Sequence, residues 1–155
     1  YSSFSKLRRI MGYCVQFLKR CSHRRNYDRK GLTTADLKQA EEALCRLAQR
    51  DCFQEELKSL QRKEPVYASS KLKRLHSQLG VDEIIRVDGR LENSSLHTEA
   101  KHPLIIPGNH PLATLLMKYY NLLLEHAGPQ LMLSYSRQRY WVVGGRNVAR
   151  KMYHQ

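Results

Sequence analysis

The chain has one tryptophan, three phenylalanines and no apolar run that approaches the roughly 18 residues of a membrane span. No signal-peptide pattern opens it, so neither a spanning nor a secreted protein is indicated. Acidic residues are scarce, 14 against 27 lysines and arginines, leaving a formal net charge of +13. Internal repeats and low-complexity tracts are missing. There is no Gly-rich phosphate loop, since Gly144-Gly145 reads as a helix boundary, and no Cys and His stand in a nucleophile–base pattern. The chain starts at Tyr1 without an initiator Met, from which a piece of a longer protein is expected.

Cysteines are few and poorly spaced for cross-linking. Cys14 and Cys21, and Cys45 and Cys52, form two Cys-x6-Cys pairs. On a helix that spacing advances about 10 Å, too far for a disulfide or for a metal shared within a pair. The four are expected to be buried thiols acting as small apolar side chains, in a reducing compartment.

What is present is basic charge, unevenly placed. Residues 1–31 carry nine basic and one acidic side chain, and residues 101–155 carry seven and one. Residues 32–64 carry six and seven, and residues 65–100 five of each. Two basic ends around a neutral middle attract polyanions, and phosphate neutralisation makes such binding salt-dependent.

The 155 residues suffice for one ordinary domain or two small ones. Residues 4–21 place Phe4, Leu7, Met11, Cys14, Leu18 and Cys21 on one helical stripe, widened by Ile10, Val15 and Phe17, which predicts packing on a neighbour. A membrane-surface helix is the alternative for this segment. Cys21 to Gly31 reads as an exposed linker. Thr33 with Asp36 predicts a capping box, Leu32 a staple onto Leu37, and Glu42 with Arg46 an i, i+4 pair. Leu37, Ala40, Leu44 and Leu47 form an apolar face that Phe53, Leu57 and Leu60 resume after a slip near Asp51, so a bend or two abutting helices are expected before Pro65.

Farther on, Ile84, Ile85 and Val87 before Asp88-Gly89 predict a tight hairpin. His102 to Pro107 predicts an edge strand because of its prolines. Asn109 is the expected N-cap of a helix with Pro111 in its first turn and Leu112, Leu115, Leu116, Tyr119, Leu122 and Leu123 on its apolar face. Gly128-Pro129 breaks the helix, a second runs to about Gln138, and a basic helix follows Gly144-Gly145. The fold class is therefore mainly α: an amphipathic helical pair over 1–64 that folds on its own, a short β-hairpin and edge-strand module over 65–108, and a three-helix mini-domain over 109–155.

A series of segments in fixed order carries a resemblance. Ser3-Phe4-Ser5-Lys6-Leu7 with Arg9-Ile10 and Tyr13 comes first, and Leu32-Thr33-Thr34-Ala35-Asp36-Leu37 with Leu44-Cys45-Arg46-Leu47 second. Arg86-Val87-Asp88-Gly89-Arg90-Leu91 is similar to an Arg-Val-Gly-Gly-Arg-Leu turn, and Lys101-His102-Pro103-Leu104-Ile105-Ile106-Pro107 to a Lys-His-Pro-Ile-Ile-Leu-Pro strand. His126-Ala127-Gly128-Pro129-Gln130-Leu131 and Arg137-Gln138-Arg139-Tyr140-Trp141 complete the series. Together they resemble the polyprotein of Pao/BEL-type LTR retrotransposons, from the region after RNase H into the zinc-binding N-terminal domain of integrase.

The resemblance implies a His-x4-His pair and a Cys-x2-Cys pair around one zinc. His126 matches the second His, Asn121 stands where the first is expected, and the first Cys would fall immediately after Gln155. An amide oxygen is a poor zinc ligand. An intact family member is thus expected to hold zinc, and this chain no tight metal or other cofactor. His97, His102, His110 and His154 have no matching spacing and are expected at the surface.

An integrase core needs three carboxylates for two metal ions. Asp28 and Glu64 have the spacing of the last two, but no carboxylate precedes Asp28 and it lies in the basic linker, so the match is coincidental. No catalytic residue is assigned here. The resemblance places integrase, reverse transcriptase and protease activities in the parent polyprotein, and gives this region a part in integrase assembly and DNA binding. The DNA candidates are Arg137, Arg139, Arg146, Arg150 and Lys151, with Tyr140 and Trp141 among them read as core. Expected partners are retroelement ends, target DNA and other integrase protomers, with no membrane, in a cytoplasmic particle and the nucleus. The rival expectation is a decayed or host-adopted copy acting as a metal-free helical interaction module.

Overall fold

Thr33 opens its helix by local chemistry. Its hydroxyl accepts from the backbone N–H of Asp36 at 3.2 Å, and its own N–H donates to the Asp36 carboxylate at 3.0 Å, closing the capping box. The computed structural model describes residues 3–22, 31–88, 101–126 and 128–153. They form α1 (Phe4–Ser22), α2 (Thr34–Cys52), α3 (Gln54–Gln61), a 3₁₀ turn (Lys73–Leu75), β1 (Ser77–Leu79), β2 (Ile85–Val87), β3 (Leu104–Ile106), α4 (Pro111–Leu123), α5 (Pro129–Ser136), β4 (Tyr140–Val142) and α6 (Gly145–Tyr153). The architecture is mainly α with a small four-stranded sheet. Most of the Cys21–Gly31 linker, Gly89 with the residues following it, and His97 and His154 lie outside the described residues.

α1 and α2 run antiparallel, for Arg8 reaches Glu41 while Gln16 and Lys19 reach Asp36 near the start of α2. The predicted stripe of α1 holds only in its first half, where Phe4 is core and Leu7 and Met11 pack against it. Phe4, Gly12 and Gln16 are buried, whereas Cys14, Leu18 and Cys21 are exposed. Two features rotate the helix. Gly12 leaves room for Leu32, whose Cδ2 would lie 3.0 Å from an added Cβ, and the cap carboxylate of Asp36 draws Gln16 and Lys19 inward. Of the four cysteines, only Cys45 is buried, which pushes its thiol ionisation up, and all four are free.

α2 and α3 abut at Phe53, as the slip near Asp51 predicts. Arg46 does not serve Glu42: its guanidinium donates twice to the Asp82 carbonyl, at 2.9 and 3.1 Å, tying α2 to the turn between β1 and β2. That turn, Gly80 to Ile84, closes a tight antiparallel hairpin between β1 and β2, while the predicted Asp88-Gly89 turn runs outside the described residues.

The strand order is β1-β2-β3-β4, antiparallel between the first three and parallel between β3 and β4. β3 is therefore interior, not an edge. Its prolines are tolerated because Pro103 and Pro107 flank the paired residues, so neither missing N–H removes a ladder bond. Leu104 N–H donates to the Arg139 carbonyl, and Val143 N–H to that of Ile106. β4 lies between the second and third helices predicted for this part of the chain, in residues to which no element was assigned, and three residues are too short to show a period.

α4 is capped by His110, not Asn109. Pro111 takes the first helical position, which leaves His110 as the cap, with Nδ1 accepting from Leu112 N–H at 3.1 Å. α4 buries Leu112, Ala113, Leu116, Met117 and Tyr120 and leaves Leu122 and Leu123 exposed. Both sheet faces are covered. Ile84, Leu104, Ile106, Tyr140 and Val142 meet Phe4, Leu44, Leu116 and Met152 in one core. Phe53, Leu57, Leu72, Ile85 and Ile105 form the other. Residues before 64, between 65 and 108, and after 109 share the first core, so both predicted domain boundaries are crossed by packing.

Candidate nucleic-acid interface

α6 is built to present cations. Gly145, Ala149 and Met152 repeat at helical spacing and are buried, while Arg146, Asn147, Arg150 and Lys151 fall on the other side and are exposed. Gly144 supplies the turn at φ 68°, a left-handed conformation that favours glycine. Gly145 permits the close approach, since a Cβ there would meet Leu133 Cδ2 at 2.9 Å. The helix contains no acidic residue. Arg150 and Lys151 in the last turn suit the helix dipole, whereas Arg146 in the first turn opposes it, so that charge does not serve helix stability.

Arg137 is also exposed, and its guanidinium lies 4.6 Å from the centroid of Trp141. Arg139 has another task. It pairs with the buried carboxylate of Glu41 at 2.6 Å, where Arg8 at 2.8 Å and the Tyr140 hydroxyl at 2.6 Å also donate. A buried charge needs such partners, and removing one is strongly destabilising. Burial and then the Glu41 charge push Tyr140 ionisation far above the usual phenol range. Tyr140 is core and Trp141 half-buried against the second cluster.

A basic cleft also escaped the sequence pattern. Lys38, Arg86, His102 and Arg139 line a cleft of about 460 Å³ with Glu42. Its residues come from α2, β1 and the turn after it, β2, β3 and the approaches to β3 and β4, so no linear spacing joins them. Arg86 pairs there with Asp82.

The end of α4 brings Asn121 and His126 together. His126 N–H donates to the Asn121 carbonyl at 2.8 Å, and Glu125 N–H to that of Leu122 at 3.3 Å, with Glu125 and His126 both at positive φ. This is a Schellman ending, which folds the sixth residue back over the first. It sets Asn121 Nδ2 3.4 Å from His126 Nδ1. One amide and one exposed imidazole do not fit zinc, which takes four N or S donors. Among the described residues no group of three His, Cys, Asp or Glu is placed to hold a metal, and no helix is long and apolar enough to cross a membrane. Compared with protein-family models, curated proteins and solved structures, the chain matches none of them.

Proposed function

We propose that the chain is the non-catalytic region of a Pao/BEL-type retrotransposon polyprotein between RNase H and the integrase catalytic core, contributing to integrase assembly and to DNA binding during integration. The observation that carries this is the outer face of α6, where Arg146, Arg150 and Lys151 are exposed on a helix without acidic residues. Arg137 over Trp141 adds a further exposed cation to the same C-terminal segment. The ordered series of resembling segments supplies the family, and Asn121 with His126 at one helix end is in keeping with it. DNA phosphates are the natural counterpart of such a face, and other integrase protomers the remaining partners. The setting is intracellular, a cytoplasmic particle and then the nucleus.

Replacing Arg146, Arg150 and Lys151 with Ala is expected to weaken duplex binding at low salt. It should also flatten the salt slope by up to about three units, roughly one per lost phosphate contact. Replacing Arg24, Arg25, Arg29 and Lys30 should do less. A larger effect from this N-terminal set would make the α6 face a protein-contact surface and defeat the DNA assignment.

Asn121 and the exposed apolar side of α1 favour the second reading, a decayed or host-adopted copy acting as a metal-free helical interaction module. The codons after Gln155 separate the two: Cys-x2-Cys supports integrase, and a stop supports the second reading.

A further inference from the structure

The rotation of α1 turns its apolar residues outward. Phe17 is 65% exposed, Leu18 63%, Tyr13 52% and Ile10 36%, and Cys14 and Cys21 are exposed beside them. Ile10, Cys14, Phe17 and Cys21 follow one row of the helix, about 16 Å long at 1.5 Å per residue. The fold does not require this row, because α1 packs through Phe4, Gly12 and Gln16, with Leu7 and Met11 along the margin of that contact. Nor is the row isolated. Leu7 stands one turn before Ile10 and two before Cys14 on the same side of the helix. It lines a groove of about 680 Å³ with Leu44, Leu47 and Leu115, where Leu47 is half-exposed. On the other flank Lys6 and Arg9 line a hollow of about 550 Å³ with Ile10 and Tyr13.

Charge selects the occupant. α1 has five basic residues and no acidic one. Arg8 and Lys19 are turned toward Glu41 and Asp36, while Lys6 and Arg9 remain on the outer side. A second copy docked α1 on α1 would bring like charges together, a destabilising arrangement. A nucleic acid would leave Phe17 and Leu18 without a counterpart. A bilayer favours cations along both margins of an apolar helix face, yet here Lys6 and Arg9 line one flank. From these observations we infer that the outer face of α1, with the groove beside Leu7, is the docking site for an acidic amphipathic helix of a partner protein. Its apolar side covers Ile10, Phe17 and Leu18, and its carboxylates lie against Lys6 and Arg9. This surface is separate from α6 and does not depend on the DNA assignment.

The test uses the full chain and a fluorescein-labelled synthetic helix of about 18 residues, five turns, with leucines at i, i+3, i+4 and i+7 and glutamates elsewhere. A second peptide carries lysine for every glutamate. Phosphatidylserine–phosphatidylcholine vesicles and sedimentation of the chain alone complete the set. The acidic peptide should bind, and the lysine peptide should not. F17S with L18S should weaken binding by about tenfold or more, since two exposed side chains lose their burial, with the melting temperature unchanged as a check on folding. K6E with R9E should transfer preference to the lysine peptide. The inference is overturned if the acidic peptide fails to bind or binds F17S/L18S equally well. It is likewise overturned if the charge reversal leaves preference unchanged, if vesicles bind and the peptide does not, or if F17S dissociates a dimer of the chain.

Discussion

Gln49 is the side chain on which the attachment of helix to sheet turns. It is fully buried, its amide nitrogen donates to the carbonyls of Ile85 at 2.9 Å and Ile105 at 2.7 Å, and its oxygen accepts from Ile85 N–H at 2.7 Å. β2 and β3 share a single register pair, Arg86 with Leu104. The amide therefore satisfies backbone groups that this short ladder leaves over. Gln49→Leu keeps much of the volume and removes all three bonds. Each orphaned buried group costs about 1–3 kcal/mol, and added apolar burial returns about 1–2 kcal/mol. The three together cost about 3–9 kcal/mol before that return, so a net loss on the order of 4 kcal/mol is expected, a large share of the 5–15 kcal/mol typical of domains, with a fall in Tm of about 10 °C. Urea unfolding followed by circular dichroism and by the fluorescence of Trp141, the sole tryptophan, measures it at an unchanged m-value. A loss below about 1 kcal/mol would refute the reasoning, because it would mean that the sheet finds other partners for those groups.

Asp36 makes stability depend on acid. The Thr33 backbone N–H, then its hydroxyl, then Gln16, hold the Asp36 carboxyl well below the usual carboxylate range. A depressed folded-state pKa contributes stability above the unfolded value near 4 and loses it as pH falls below that, so the wild type should weaken below about pH 4. Asp36→Asn should be less stable at neutral pH and show a shallower acid limb, and a parallel limb in denaturant titrations at several pH values would exclude Asp36 as its source. Residues 1–64 alone should be partly helical but melt without cooperativity, since Leu44 and Cys45 lose their core partners and Gln49 its backbone partners. A sigmoidal melt by circular dichroism would instead show that the α1–α2 pair folds independently.

The features legible in the sequence were those whose causes are local. The Thr33–Asp36 box, the junction at Phe53 and the helix after Gly144-Gly145 each rest on neighbours a few residues apart. The outward cations of α6 were legible for the same reason, because Arg146 and Arg150 stand about one turn apart on one face of the helix and Ala149 and Met152 about one turn apart on another. Misjudged features depended on partners far along the chain. The orientation of α1 follows from Asp36 and Leu32, the place of β3 from β4, and the duty of Arg139 from Glu41. Hydrophobic period ranks the faces of a helix by apolarity, but α1 buries Gln16 and exposes Phe17, the reverse of that ranking.

The ending of α4 also bears on mutational distance. Its backbone bonds hold residues 121 and 126 together whatever side chain stands at 121, since both bonds are main-chain to main-chain. Two nitrogen ligands on a tetrahedral zinc lie about 3.3 Å apart for bonds of about 2.0 Å, close to the 3.4 Å between Asn121 Nδ2 and His126 Nδ1. Asparagine and histidine codons differ only in their first base. A single transversion would thus set two imidazoles at ligand separation without moving the chain, and the reverse change would undo it as simply. The helix end keeps its geometry through either step, so a two-donor corner can be lost and regained while the fold around it is preserved.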